Sequence, residues 1–137
     1  MRPSIFAAAA AITLASLPAH AETALDQALS KGGTVLRAQD IADLIVGKVV
    51  TARSGDKMFR FHYSDQNVLS GEMLGGSWSD VGYYGITDGD QVCLSMTSDK
   101  GRLRCLTLVR GPDGVAKYDQ AGKMTFELLE FQTGPGL

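Results

Sequence analysis

From Lys48 to Phe131 the chain is interrupted by turn signals about every 8–12 residues, the spacing of an all-β domain. The signals are Ser54-Gly55-Asp56, Ser64-Asp65-Gln66-Asn67, Gly75-Gly76, Asp88-Gly89-Asp90, Ser98-Asp99-Lys100-Gly101 and Gly111-Pro112-Asp113-Gly114. Between them lie segments with strand alternation: Val49–Arg53, Met58–Tyr63, Val68–Leu74, Val81–Thr87, Val92–Thr97, Leu103–Val109, Val115–Tyr118 and Met124–Phe131. In the second, Phe59, Phe61 and Tyr63 point one way while Arg60 and His62 point the other. Gly71 is expected to mark a bend or bulge. Met124, Phe126 and Leu128 are expected to share one face. The fold class is therefore mainly β, with an antiparallel meander of about seven or eight strands. A curled sheet or small barrel is the natural way for such a meander to hide its edges.

One N-terminal helix is expected to precede the meander. Ala38-Gln39-Asp40 opens it, and Ile41, Leu44 and Ile45 recur at i, i+3, i+4 to make one apolar stripe. Asp40 and Asp43 lie where the helix dipole favours negative charge. Gly47 follows the last apolar residue as a stop. This stripe is expected to pack on the sheet. Residues 22–37 read as a flexible lead-in with Gly32-Gly33 as its loosest point, and a short helix is allowed around Ala24–Leu29. The single β-rich domain spans 38–132, and 133–137 reads as a loose tail.

The first 21 residues read as a cleavable signal peptide. Arg2 supplies the early positive charge, and Ile5 to Leu17 form an uncharged apolar run of about 13 residues, short of the roughly 20 a membrane-spanning helix needs. Pro18 breaks the run, and Ala19-His20-Ala21 is an A-x-A cleavage pattern. The expected location is the periplasm or the medium after cleavage near Ala21. No second long apolar run follows, so no membrane span is expected in the mature chain.

Export bears on the two cysteines. In an oxidising compartment Cys93 and Cys105 are expected to form a disulfide. They flank the Ser98–Gly101 turn at an even separation, which puts both on one face of a hairpin. Their spacing suits neither a zinc site nor a Cys-x-x-Cys redox pair. The chain is mildly acidic, with a formal charge of -2 and scattered Lys and Arg, which argues against nucleic-acid binding.

No catalytic set stands out. His62 is the single histidine after residue 21, and a lone strand histidine is more often a surface or hydrogen-bonded residue than a catalyst. There is no G-x-S-x-G elbow, no G-x-G-x-x-G and no Walker loop. Asp88-Gly89-Asp90 lacks the further ligands of an EF-hand-type calcium loop and reads as a hairpin turn. Glu72, Asp80, Glu127 and Glu130 read as solvated strand-face acids, the alternative being an acid pair in space, which beside His62 would be the sign of a hydrolase. No catalytic residue, metal site or cofactor is expected. The aromatic residues offer more. Trp78 reads as core, and of Tyr83 and Tyr84 one must face the core and one the solvent. Trp78, Tyr83, Tyr84 and His62 are the candidate binding surface.

Gly76-Ser77-Trp78 bears a weak similarity to the G-x-W of lipocalin-type barrels, although that motif stands near the first strand and this one is mid-domain. Leu44-Ile45-Val46-Gly47-Lys48, Gly76-Ser77-Trp78, Val92-Cys93-Leu94 and Arg102-Leu103-Arg104-Cys105 together resemble a family of small uncharacterised exported alphaproteobacterial proteins. That resemblance covers roughly Gln39 to Phe131 and implies an envelope location and a β-rich fold with paired cysteines; it supplies no catalytic residues. The function expected from the sequence is a non-enzymatic periplasmic binding or accessory domain acting through a sheet face or barrel mouth. Its partner would be an unknown envelope protein or a small ligand. Two alternatives stand beside it. One is an inhibitor of an envelope or foreign hydrolase, presenting Ser98–Gly101 or Gly111–Gly114. The other is a lipocalin-like carrier of a small apolar ligand.

Overall fold

In the computed structural model, which describes residues 2–5, 7–16, 21–134 and 136–137, the turn signals separate strands as their spacing predicts. Two helices, α1 (Ala24–Ser30) and α2 (Ala38–Ile45), flank the two-residue strand β1 (Thr34–Val35). Eight longer strands follow: β2 (Lys48–Ser54), β3 (Lys57–Tyr63), β4 (Val68–Met73), β5 (Ser79–Ile86), β6 (Val92–Met96), β7 (Leu103–Gly111), β8 (Gly114–Tyr118) and β9 (Met124–Thr133). Each pairs antiparallel with the next, and β9 returns to pair with β2. The sheet is thereby a closed eight-stranded barrel with no free edge among these strands.

Closure depends on β9. It carries two extra residues relative to its neighbours. Thr125 is unpaired opposite the Lys117/Tyr118 step of β8, and Leu129 is unpaired opposite the Thr51/Ala52 step of β2. Such bulges bend a strand and increase its twist. They also change which side chains face inward. Phe126 and Leu128 point into the barrel, opposite Lys117 and Val115. Met124 lies across the first bulge, pairs with Tyr118 and is 40% exposed. The expectation that Met124 shares a face with Phe126 and Leu128 fails for that reason. Gly71 is likewise no bulge: β4 runs in regular register with both neighbours.

The short helix allowed around Ala24–Leu29 is present as α1, ahead of the expected helix α2. Residues 22–37, read as a lead-in, carry α1 and β1. Thr23 and Asp26 form a reciprocal cap on α1, with both hydrogen bonds at 3.1 Å. β1 then pairs with Val109 and Arg110 of β7.

α2 closes one end of the barrel. Its Ile41 and Ile45 are wholly buried in the core cluster with Val50, Tyr84, Val92 and Leu108. The helix is tied down at both of its own ends. The Ala38 N–H donates to Asp90 Oδ1 at 2.8 Å, so an acid of the β5–β6 turn caps α2 across the chain. Past its last residue, Gly47 adopts φ +75°, a left-handed conformation that favours glycine, and its N–H donates to the Tyr63 carbonyl at 2.7 Å. Ile45→Ala is expected to cost about 2–5 kcal/mol, as large-to-small core changes do. Asp90→Ala, which removes one cap, should cost about 1 kcal/mol. Urea denaturation of the two variants checks both size and order; an Asp90→Ala loss as large as the Ile45→Ala loss would contradict this division of roles.

Candidate functional site

The two ends of the barrel differ. At the α2 end, Tyr63 and Tyr84 meet edge to face at 5.1 Å, and the Tyr84 hydroxyl donates to the Ser64 carbonyl at 2.5 Å. Burial, with Tyr63 and Asp65 nearby, pushes the Tyr84 phenol above its ordinary value, so it stays a neutral donor. The opposite end is framed by the β2–β3, β4–β5, β6–β7 and β8–β9 connections, and there the interior is hollow. A cavity of about 170 Å³ opens between strands β3 to β9.

One wall of this cavity is aromatic. Phe59 packs edge-on against Trp78 at 5.7 Å and against Phe126 at 5.4 Å, and Phe61 does the same with Phe126 at 5.3 Å. Strand alternation explains the wall, since Phe59 and Phe61 are inward positions of β3. Gly71 makes it fit. A Cβ there would lie 2.9 Å from the Phe61 ring and 3.1 Å from Trp78. The glycine is a gap in β4 into which the rings settle. Leu69, Leu94, Met96 and Leu106 complete the apolar lining.

At the floor stands Lys117, the one buried charged side chain among the described residues, 2% exposed. Its Nζ donates to the Tyr63 hydroxyl and lies 5.0 Å from the Tyr63 ring centre and 5.7 Å from that of Phe61. No carboxylate among the described residues pairs with it.

The rim is polar and internally paired. Asp80 accepts from the Ser98 hydroxyl and from the Ser98 N–H, the latter at 3.2 Å. Asp99 holds Arg102 at 3.1 Å and Arg104 at 3.2 Å. Burial alone would raise the Asp80 carboxyl. The Ser98 hydroxyl, the Val81 and Ser98 N–H groups and the Arg104 charge outweigh it and hold the carboxyl below the usual range.

The candidate residues read from the sequence do not gather into one surface. Trp78 lines the cavity beside Asp80. Tyr84 is buried at the closed end. Tyr83 is 68% exposed on the outer face of β5, and His62 lies on the outer face of β3. Cys93 and Cys105 stand directly opposite each other on β6 and β7, with their sulfurs at bonding distance on the barrel's outer face. Glu72 and Glu127 face Arg60 and Arg53 and do not converge with Asp80. Sequence reasoning missed Lys117, although a signal existed. Lys117 is two residues from Val115, hence on the same strand face, and a lysine on an apolar strand face is unusual.

A wider hollow of about 530 Å³ lies outside the barrel between α1 and β7 to β9. It is a surface groove crossed by the Arg53–Glu127 ion pair. The described residues contain no group of three or more His, Cys, Asp or Glu side chains placed to hold a metal ion. No protein-family model, curated protein or solved structure matches the chain.

The rim is expected to respond to acid. The Asp80 carboxyl is depressed in the folded state relative to about 3.9 unfolded. Its contribution is thus fully present above that value and is lost as pH falls through the lower folded value. The protection of the Ser98 amide, relative to its intrinsic exchange rate at each pH, should fall below about pH 4 in the parent, and Asp80→Asn should show the lower protection already at neutral pH. Equal exchange in both proteins at neutral pH would contradict the role given to Asp80.

Proposed function

We propose that this protein is a small envelope binding protein that takes the apolar end of a small ligand into the open mouth of its barrel. The observation that carries this reading is the unequal filling of the interior. One end is stoppered by α2, and the other leaves about 170 Å³ open behind Trp78. Size narrows the ligand. Apolar cavities of about 150 Å³ admit benzene, whereas drug-sized ligands need roughly 300 Å³ or more. A single ring or a short branched chain fits, and a long acyl chain does not.

Trp78 is the only tryptophan in the chain and stands in the cavity wall, so it is a built-in reporter. Titration with toluene or indole is expected to change its emission saturably. Leu106→Phe, which projects a larger side chain into the cavity, should abolish the change. It should leave stability within about 1–3 kcal/mol of the parent, because the added volume enters a void. If no single-ring compound perturbs Trp78 and none gives heat of binding in calorimetry, the ligand-binding reading fails.

The envelope location rests on residues 1–21 and on the cysteine pair. Among the described residues of the apolar run, Ile5, Ile12 and Leu14 are 86–92% exposed and pack on nothing in the barrel. The A-x-A pattern itself lies mostly outside the described residues. No helix among the described residues is long and apolar enough to cross a membrane. A Cys93–Cys105 bridge closes a loop of sequence separation 12, which the chain-entropy model values at about 3 kcal/mol. Protein recovered from the envelope fraction is expected to begin at Glu22 and to be lighter than its reduced form by two hydrogens. An intact Met1 terminus, or two alkylatable thiols, would count against export.

A further inference from the structure

We infer that the ligand of this cavity is an anion, a small carboxylate whose acid group meets Lys117 Nζ and the Tyr63 hydroxyl at the floor while its ring or chain lies against Phe59, Phe61 and Trp78. The inference rests on the ligand-binding reading above and adds the chemical class.

The lysine has no structural explanation of the usual kind. Buried charges in folded proteins are paired or hydrogen-bonded, because removing an ammonium from water costs several kcal/mol. Lys117 is 2% exposed, yet no carboxylate among the described residues reaches it. Its protein contacts are one neutral hydroxyl and the faces of two rings. An ammonium carries three donors, and the Tyr63 oxygen takes one. The other two are left where the cavity is, since Lys117 and Tyr63 both line it.

The surrounding acids do not compete for this position. Asp80 is engaged by Ser98, and Asp99 by Arg102 and Arg104, all in the rim or the β6–β7 turn. Three charged side chains thus line the cavity: at its mouth Asp80, held by Ser98, and Arg104, held by Asp99, and at its floor Lys117, the one cation of the lining with no carboxylate partner, beside a phenolic hydroxyl and aromatic walls. A monocarboxylate on a single ring supplies the missing negative charge and the matching shape. A neutral ligand of the same shape would leave the ammonium uncompensated. A cationic ligand would be repelled.

The test compares probes of one shape and different charge. Purified protein is titrated calorimetrically with benzoate, benzamide and toluene, and the series is repeated on Lys117→Met and Tyr63→Phe. Benzoate is expected to bind at least about tenfold tighter than benzamide, the span of one charge-assisted hydrogen bond. Lys117→Met should erase that preference, keep toluene binding and melt no lower than the parent, since methionine fills the same volume without a buried charge. Tyr63→Phe should weaken benzoate and leave toluene unchanged. Equal affinity for benzoate and benzamide in the parent overturns the inference while leaving the cavity reading standing. So does a benzoate preference that survives Lys117→Met. A lowered melting temperature with an unaltered probe order would mark Lys117 as structural and also overturns it. Absence of binding by all three probes overturns both readings.

Discussion

Pairing of the last strand with the first is the interaction on which the rest of this structure depends. β2 begins the meander and β9 ends it, and their ladder turns an open sheet into a barrel with an inside. An eight-stranded barrel has an interior just wide enough for side chains to fill or for one small ligand. Closure is not free of adjustment. Both bulges of the barrel ladder fall on β9, one facing β8 and one facing β2. They let a single strand of ten residues follow the curvature that joins two neighbours. They also set the inner surface, because Phe126, Leu128 and Phe131 take inward positions that strict alternation from Met124 would not supply all at once.

Given a closed barrel, the interior must be filled, stoppered or wet. The α2 half is filled. Ile41 and Ile45 enter from the helix, and Tyr63 and Tyr84 meet beneath them with the Tyr84 hydroxyl satisfied by a backbone carbonyl. No α-helix among the described residues stoppers the other half; the 3-10 turn Thr97–Asp99 stands at its rim. Within that half the large rings of β3 and β9 lean together against Trp78, into the space that Gly71 vacates, and a hollow remains between them and the leucines and methionine on β4, β6 and β7. The hollow follows from grouping the bulk on one side, whereas even spacing of large and small residues would close it.

The sequence made the strands legible because each carries its own alternation and each turn its own chemistry. The eight segments read from Val49 to Phe131 correspond one to one with β2 to β9, and the even separation of Cys93 and Cys105 placed them on one face of one hairpin. Ile41, Leu44 and Ile45 marked the helix that packs on the barrel. What the sequence withheld is whatever depends on long-range register. Met124 could not be assigned to the outer face without the Thr125 bulge, and no local pattern announces that bulge. Asp90 reads as a turn residue and is one, yet its carboxylate also caps a helix 52 residues away. Tyr83 and Tyr84 were correctly split between two faces, but neither the barrel's closure nor which of its ends is stoppered can be read from β5 alone. The candidate site fared worst for the same reason. Trp78 belongs to the cavity, whereas Tyr84 belongs to the closed end and Tyr83 and His62 to the outside.

Lys117 sits at the boundary between the two halves, and that position matters more than its burial. A lysine in the filled half would have to be uncharged or paired, and one at the rim would be solvated and chemically unremarked. At the cavity floor its ammonium faces inward to two aromatic faces and outward to a space that opens on solvent. The ring faces favour the cation without neutralising it, since a quadrupole carries no net charge. An unpaired ammonium at the floor is what the proposed preference for a negative charge rests on, and the aromatic walls beside it would restrict what carries that charge. On the reading proposed above, electrostatics would select the head of a ligand, and the cavity of about 170 Å³ beside Phe59, Phe61 and Trp78 would select its body.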